Sequence, residues 1–341
     1  MAGSIEEVAA RAGVSIATVS RALLGLPHVA AATRERVWRA ARELDYVASP
    51  FAAGLASGRC STVGVVVPFV KRWFFAEVLG AIESVLSDAG YDVLLYNLAD
   101  IEGRERFFTT LPVRKRVDAV LVASLALTGS EVAALGTLQV PVGVLGTRYP
   151  GLFSVRIDDV AASRGAVQHL LALGHRRIGL IGGDTDDPMR FTPPLDRRAG
   201  YRQALQAAGI ALDPELERLG HFTLEGGQAA MRQLLALASR PSAVFAASDE
   251  MAYGAIRAIR RAGLTVPDDV AVIGFDDHAT AELMDLSTVR QPVAEQGARL
   301  AQTLLTALKG AIEPTDLVLD TELVVRGSTV ARASVYADTA G

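Results

Sequence analysis

The sequence predicts two structural units of different class, a small all-α module at the amino terminus and a larger α/β domain made of two lobes. Helix start and stop signals crowd into the first sixty residues, whereas from Thr62 onward short β-branched runs alternate with helical periodicity. These runs form two successive series, so we expect two lobes, each with a parallel sheet covered on both faces. A chain of 341 residues is long enough for two such cores and a small third module.

Composition restricts the possible functions. The chain is 50% hydrophobic and 21% charged, and it has no run long and apolar enough to cross a bilayer without charges. No basic leader precedes an apolar run in residues 1–7, so we expect a cytoplasmic protein with no membrane partner. One cysteine, Cys60, and five scattered histidines make neither an internal disulfide nor a metal cluster, so we expect no cofactor.

The charge distribution permits a nucleic-acid partner without requiring one. A net charge of −4, taken alone, argues against DNA binding. Residues 1–60 nevertheless hold seven arginines against five acidic residues, so the amino-terminal end is the basic part of the chain. The function therefore has to be argued from motifs.

The amino-terminal module contains the signals for three helices. The run Ser4-Ile5-Glu6-Glu7 has the spacing of a capping box, which starts a helix at its second residue, and Gly13 ends that helix. Ser15 caps a second helix over 16–24, and a third helix covers about 32–44. Because the turn between the first two helices is so short, they cross steeply and leave the second one on the surface.

The second helix carries groups that suit DNA. Thr18, Ser20 and Arg21 can form hydrogen bonds to phosphates and base edges. Ile16 and Ala17 offer apolar contact to a thymine methyl. This pattern is typical of a recognition helix, and a three-helix bundle without a DNA-binding role is the alternative.

The same segment resembles a known family. The run from Val14 to Leu23, VSIATVSRAL, resembles the helix-turn-helix of the LacI/GalR family of bacterial transcription regulators, and residues 34–37 with 44–46 resemble that family's third helix. This chain departs from the family at Leu24, where Asn is usual, and at Ala30, where a capping Ser is usual. The DNA-binding residues that the resemblance implies are Ser15, Ile16, Ala17, Thr18, Ser20, Arg21, His28, Thr33 and Leu55.

A short hinge helix is expected after the third helix. Ser49 as cap, Pro50 at the first helical position and Gly58 past the end define about two turns, which are marginal in isolation. The resemblance implies that the hinge helix pairs with its copy in a second subunit in the minor groove, where Leu55 acts as a wedge between base steps. A plain linker is the alternative, because Ala48-Ser49-Pro50 replaces the family's Pro-Asn start.

The body of the chain predicts a cleft between two lobes. Open α/β sheets bind ligands outside the carboxyl ends of their strands, so two facing lobes enclose a binding site. Segments such as Leu173–Ile178, Val272–Asp277 and Thr288–Pro292 extend the family resemblance across the body. The resemblance implies the fold of periplasmic sugar-binding proteins, with three crossings between lobes, the last near Arg290. The expected strands are Val63–Val67, Asp92–Tyr96, Ala119–Val122, Val142–Leu145, Ile178–Ile181, Ala243–Ala246 and Val270–Ile273.

Chemistry and resemblance together indicate the effector-binding residues. Asp276 ends a strand as a carboxylate acceptor and Arg197 offers a planar fork of donors, so together they can bind adjacent sugar hydroxyls. Asp276 as a helix cap, Arg197 as a surface ion pair and Phe75 as a core residue are the alternatives. The full set of expected effector-binding residues is Phe74, Phe75, Arg197, Phe222, Ser248 and Asp276.

Two departures from the family bear on the identity of the effector. Gly146 falls where many sugar-responsive relatives carry Asp, and Lys71-Arg72-Trp73 replaces the usual Ser-Asn-Pro. We therefore expect a pocket that is less acidic and more cationic than average. The hypothesis that follows is a phosphorylated or acidic sugar as effector, or an effector that is not a sugar.

The sequence argues against two other functions. An enzyme of this fold class is disfavoured because the chain has no dinucleotide fingerprint, phosphate loop, zinc-protease motif or nucleophile elbow. An exported solute-binding protein would fit the body, but it would begin with a cleavable leader rather than with a helix-turn-helix.

The resulting prediction is a transcription regulator, in particular a repressor, whose operator affinity depends on a small-molecule effector, a sugar or related metabolite. One recognition helix reads too few base pairs to select a site in a genome, so we expect a homodimer on a roughly palindromic double-stranded operator. The expected domains are 1–46, the helix-turn-helix; 47–61, the hinge helix and linker; 62–330, the effector-binding and dimerisation domain with crossovers near 160 and 290; and 331–341, a tail without a leucine heptad.

Overall fold

A computed structural model describes residues 3–23, 27–46, 59–310 and 312–330. The expected hinge helix with Ser49, Pro50, Leu55 and Gly58 lies outside these residues, as does Leu24. Within the described ranges no helix has the length and apolar character needed to cross a membrane.

The headpiece, residues 3–46 without 24–26, consists of α1 (Ile5–Ala12), α2 (Ile16–Leu23) and α3 (Ala31–Glu43). The predicted capping box is confirmed, since the Ser4 hydroxyl accepts from the Glu7 amide at 3.3 Å and the Glu7 carboxylate accepts from the Ser4 amide at 2.8 Å. Gly13 ends α1 in the left-handed conformation at φ 64°, as predicted. A small core holds the three helices together, made of Val8, Ala9, Ala12, Val19, Ala22, Val37, Ala40 and Ala41.

The start of α3 lacks a side-chain cap. Ala30 occupies the cap position with φ −60° and ψ 144°, and its methyl side chain cannot bond the first amides of the helix. We expect Ala30→Ser to stabilise the headpiece by about 1 kcal/mol, because a hydroxyl at this position accepts from one of those amides. Slower amide hydrogen exchange in α3 would show this stabilisation. Ala32→Ser, at the second residue of the same helix, is the control and should give no protection.

Lobe one contains a six-stranded, wholly parallel sheet. Its order is β11-β5-β4-β3-β1-β2, and its central strands are buried on both faces, as their apolar sequences predict. The elements are β1 (Thr62–Val67), α4 (Trp73–Asp88), β2 (Asp92–Asn97), α5 (Ile101–Thr110), β3 (Ala119–Ala123), α6 (Gly129–Gly136), β4 (Val142–Leu145), β5 (Phe153–Ile157), α12 (Val293–Lys309) and β11 (Asp316–Leu319).

Lobe two contains the second six-stranded sheet, in the order β12-β10-β9-β8-β6-β7. Five of its strands are parallel, and β12 pairs antiparallel with β10. The elements are α7 (Asp159–Ala172), β6 (Ile178–Gly182), α8 (Pro193–Ala207), a 3₁₀ turn (Pro214–Leu216), β7 (Glu217–Leu219), α9 (Leu224–Leu235), β8 (Ala243–Ala246), α10 (Asp249–Arg261), β9 (Ala271–Asp276), α11 (Thr280–Leu283), β10 (Ser287–Arg290) and β12 (Glu322–Val324).

The chain crosses between the lobes three times. It leaves lobe one after β5, returns after β10 at 291–292, and leaves again between β11 and β12 at 320–321. The expectation that the last crossing lies near Arg290 is therefore wrong, because that crossing is the second. The strands beside the third crossing are short and mostly exposed, and, like β5, β7 and β10, they are not among the strands that the sequence predicts.

Glycines bring α9 close to α10 in lobe two. A Cβ on Gly254 would lie 2.1 Å from the Leu224 carbonyl oxygen, and a Cβ on Gly227 would lie 2.3 Å from the Met251 carbonyl oxygen. Since any side chain at either position would push the helices apart, glycine is required on both. This packing fixes the amino-terminal end of α10, which carries acidic residues into the cleft between the lobes.

Candidate functional site

The exposed face of α2 carries most of the predicted DNA-binding residues. Val19 and Ala22 point into the headpiece core, while Ile16, 47% exposed, and Arg21 face outward. The Ser15 hydroxyl accepts from the Thr18 amide at 3.2 Å, which caps the helix as predicted. Ala17 is exposed as well, and Thr18 and Ser20 are half-buried. The face therefore presents apolar, hydroxyl and guanidinium groups that the headpiece core does not use.

The remaining predicted DNA-binding residues lie beside this helix in the chain. His28 is exposed in the turn before α3, with a positive φ of 70°, and Thr33 is half-buried in the first turn of α3. Leu55 lies outside the described residues.

A cavity lies between the two lobes, at the carboxyl ends of their strands, and we call it the inner cavity. It is lined by Ser124, Gly146 and Gln291, which directly follow β3, β4 and β10, by Ser248, two residues after β8, and by the last residue of β9. This is where open parallel sheets bind ligands. All six residues predicted to contact an effector line it: Phe74, Phe75, Arg197, Phe222, Ser248 and Asp276.

Asp276 is held in an unusual conformation at the end of β9. Its φ is 125°, and Asp277 follows with φ 55°, values that residues with a side chain rarely adopt. The Gln291 amide nitrogen donates to Asp276 Oδ1 at 2.6 Å, and Gln296 in turn donates to Gln291 Oε1 at 3.0 Å. Burial raises the pKa of Asp276 to about 6, although the Arg197 charge opposes the shift.

Arg197 is a buried cation rather than a surface ion pair, since it is only 4% exposed. Its Nε donates to Asp159 Oδ1 at 2.8 Å, and its Nη1 donates to the Ala247 carbonyl at 2.7 Å and lies 3.5 Å from Asp276 Oδ1. The guanidinium carbon lies 3.6 Å from the ring centroid of Phe275. Arg197 therefore joins the start of α7 to the carboxyl ends of β8 and β9.

Asp249 adds a second buried carboxyl group beside Asp276. The Thr288 hydroxyl donates to Asp249 Oδ1 at 2.6 Å, and the His278 amide donates to Oδ2 at 2.8 Å. Burial and then the charge of Asp276 raise the pKa of Asp249 well above its usual value. The neighbouring Ser248 caps α10 by accepting from the Met251 amide at 3.3 Å. Its hydroxyl hydrogen is still available to a ligand.

Aromatic rings form the apolar part of the wall. Phe75 is fully buried in the lobe-one core, as the alternative interpretation expects, and it also lines the cavity. Phe222 stands edge-on to Phe191 at 5.3 Å between ring centroids. Trp73 from lobe one lies 4.7 Å from the His278 ring of lobe two. The rings of both lobes therefore meet at the cleft.

The expectation of a cationic pocket is not supported. Lys71 is exposed and lies outside the lining, so only Arg72 and Arg197 contribute positive charge. Four carboxyl residues face them: Asp159, Asp249, Glu250 and Asp276. Because carboxyl groups outnumber guanidinium groups in this lining, its composition gives no support to a phosphorylated or acidic sugar. The departures from the family near β1 and β4 gave no indication of the acids at the starts of α7 and α10.

Several lining residues were not singled out from the sequence. Most of them sit just beyond a strand or at the start of the helix that follows, so a strand-end criterion applied to every strand would have found them. Phe191 gives no such signal, since it lies far along the loop after β6. The residues concerned are Ser124, Asp159, Phe191, Glu250, His278 and Gln291.

Comparisons with known proteins agree with this arrangement. The family described as "Bacterial regulatory proteins, lacI family" matches residues 4–49, and the "Periplasmic binding protein-like domain" matches residues 167–329. The HTH-type transcriptional repressor CytR of Escherichia coli (strain K12) is 37% identical over 338 residues, which cover 96% of each chain.

Solved structures show the same architecture. The Lac repressor dimer bound to operator and the anti-inducer ONPF matches with a TM-score of 0.85 at 29% identity, over 97% of this chain and 100% of that one. The complex of the transcriptional regulator CelR with cellobiose matches with a TM-score of 0.71 at 37% identity, over 96% and 99% of the two chains.

Proposed function

The chain belongs to the lacI family of bacterial regulatory proteins, and we propose that the exposed face of α2 and the inner cavity are the two coupled sites of a repressor. It is a DNA-binding transcription regulator with a periplasmic-binding-protein-like effector domain. The observation that carries the proposal is the presence, on one chain, of an exposed recognition helix and a polar cavity enclosed by two lobes. Neither a solute receptor nor an enzyme needs a recognition helix.

The DNA-binding half works as a symmetric pair. We propose that two copies bind a roughly palindromic operator, as the Lac repressor dimer binds its own, with Ile16, Ala17 and Arg21 at base edges. Ser15, Thr18, Ser20, His28 and Thr33 contact the backbone and fix the register. Leu55 in the hinge helix acts as the minor-groove wedge.

The effector-binding half closes on a neutral, hydroxyl-rich molecule, for which a sugar or sugar derivative is our proposal. Asp276 and Ser248 offer acceptor and donor atoms, Arg197 retains Nη2 for the ligand, and the rings of Phe74, Phe75 and Phe222 stack on its apolar face. Cellobiose in the CelR complex is a ligand of this kind. No step of the proposal makes or breaks a bond in the effector.

The domain scheme follows from these roles. Residues 1–46 bind DNA, 47–61 form the hinge helix and linker, 62–330 bind effector and dimerise, and 331–341 form a tail. Effector binding changes the angle between the lobes, shifts the subunits and so stabilises or melts the paired hinge helices. Control of an operator places the protein in the cytoplasm.

The test is selection of operator sequences from a random duplex library, followed by titration of the selected duplex against unrelated competitor at fixed salt. We expect the selected sites to be palindromic and to bind at least about a thousandfold more tightly than competitor. Equal affinity for all duplexes at low salt would overturn the proposal.

Arg21 gives the sharpest single test of the recognition helix. We expect Arg21→Ala to weaken operator binding by about 1 to 3 kcal/mol for each half-site, because a guanidinium bidentate to a base loses its contact. Fluorescence anisotropy with the selected duplex measures the loss. Arg11→Ala is the matched control, since Arg11 lies on α1 in an exposed ion pair with Glu43. Equal losses in the two variants would show that Arg21 contributes charge alone.

A further inference from the structure

A second cavity adjoins the inner one at the mouth of the cleft, and we call it the outer cavity. Arg72, Phe191 and Phe222 line both cavities, so these three side chains form the wall between them. Phe69 and Asp187 lie on the outer side of that wall only. The two cavities are therefore neighbouring parts of one cleft.

Arg72 is the charged part of the wall. Its guanidinium carbon lies 4.1 Å from the centroid of Phe69 and 5.4 Å from that of Phe191, and its buried Nη1 has no hydrogen-bond partner in the described part of the chain. Burial lowers the pKa of Arg72, and the charges of Asp187 and Glu250 only partly oppose this. A buried guanidinium nitrogen without a hydrogen-bond partner is unfavourable, and moving the side chain into solvent relieves that cost.

The free space on the two sides of Arg72 differs. The inner cavity offers about 50 Å³ and the outer cavity about 170 Å³. The inner space holds only a few water molecules, too little for a sugar ring, so binding requires the wall or the lobes to move. If Arg72 swings aside, the two spaces become one elongated site.

The outer cavity has the chemistry of a site for a hydroxyl-rich ring. Phe69, Phe191 and Phe222 supply aromatic surface. Asp184 Oδ1 accepts from the Asp186 amide and Asp187 Oδ1 accepts from the Met189 amide, both at 2.9 Å, so the second oxygen of each carboxylate remains for a ligand hydroxyl. The described residues contain no group of His, Cys, Asp or Glu side chains that could hold a metal ion, which disfavours a cation here.

The outer cavity also joins the lobes. Phe69 and Arg72 belong to lobe one, whereas Asp184, Asp187 and Phe191 belong to the loop after β6 in lobe two. That loop already reaches lobe one, where the Ala126 amide donates to the Arg190 carbonyl at 2.8 Å and Leu125 forms a β-bridge with Phe191. A ligand in the outer cavity would therefore add contacts across the same junction.

We propose that the effector is an oligosaccharide of at least two units that spans both cavities. One unit lies in the inner cavity against Asp276 and Arg197, and the next lies in the outer cavity against Asp184 and Asp187, with Arg72 swung aside between them. The proposal rests on the proposed function, because it specifies the ligand of the site that controls operator binding.

Isothermal titration calorimetry of the full chain tests the proposal with cellobiose, maltose and lactose, each compared with glucose and galactose. We expect at least one disaccharide to bind at least about tenfold more tightly than either of its units. Asp187→Asn should weaken binding of that disaccharide about fivefold or more and leave monosaccharide binding unchanged, because only the second unit reaches it. Lys71→Ala is the matched control, since Lys71 is exposed and lines neither cavity.

Three results would overturn the oligosaccharide effector. These are a monosaccharide that binds as tightly as its disaccharide, an Asp187→Asn variant that weakens both equally, and a panel in which no sugar binds. Operator binding measured on the same preparation keeps the two proposals separate. Intact, sequence-specific binding in any of these cases leaves the repressor in place, whereas its loss in the unliganded chain counts against the proposed function itself.

Discussion

Arg197→Met is expected to destabilise the effector domain by about 3 to 5 kcal/mol, which is a large fraction of the stability of an ordinary domain. The methionine fills much of the volume but leaves the Asp159 carboxylate without its 2.8 Å partner and the Ala247 carbonyl without its donor. Both groups are buried, and an uncompensated buried carboxylate costs more than the pair contributes. Urea unfolding of the full chain at neutral pH measures the change.

The adjacent arginine provides the matched control for this prediction. Arg198 is more than a third exposed and shares the Glu217 carboxylate with Arg202, so Arg198→Met leaves that carboxylate paired. We expect Arg198→Met to cost less than about 1 kcal/mol. If the two variants lost similar amounts of stability, the buried contacts of Arg197 would contribute no more than the partly exposed contacts of Arg198.

Arg197→Met should also abolish effector binding, because Asp276 loses the charge that faces it.

The local structure of the headpiece was predictable from the sequence because its signals lie within a few residues of each other. The capping box at Ser4 and the left-handed Gly13 act over one helical turn, and both are present as predicted. The uncapped start of α3 at Ala30 was equally visible. The expected hinge helix carries comparable local signals at Ser49, Pro50 and Gly58, but these residues fall outside the described part of the chain.

The site was predictable only where resemblance or a strand end marked a residue. Asp276 ends an apolar run, and it lies in the cavity with the five other predicted residues. The partners that determine its chemistry come from far along the chain, for example Gln291 and Arg197, and no local pattern indicates that they meet. The acidic balance of the cavity was therefore predicted wrongly, since it depends on Asp159 and Asp249 reaching the same place.

The third crossing between the lobes is a feature of the fold that local sequence patterns likewise do not predict. β11 pairs with β5 and β12 with β10 through short, largely exposed strands, which periodicity in a window of sequence does not separate from loop. Their positions are determined by the sheets that they join. Long-range pairing of this kind decides the topology and leaves little trace in the local sequence.

Asp276→Asn is expected to change how the free energy of unfolding varies with pH. The folded pKa of Asp276 is about 6 against an ordinary value of 3.8, so between these pH values the folded chain holds a proton that the unfolded chain has lost. Stability contributed by this group therefore falls as pH rises from about 4 to about 6, by about 3 kcal/mol in total. Asn has the same shape and does not titrate. Between these pH values, the free energy of unfolding of the variant should therefore rise by about 3 kcal/mol relative to that of the wild type.

Urea unfolding of both proteins at several pH values measures this difference, and Asp269→Asn provides a control of opposite sign. Asp269 is half-buried, and hydrogen bonds from Thr265 lower its pKa, so its contribution to stability is lost as pH falls. Asp269→Asn should therefore lose stability relative to the wild type as pH rises. A difference between Asp276→Asn and the wild type that stays constant with pH would contradict the prediction, since it would mean that Asp276 ionises in the cavity as it does in water.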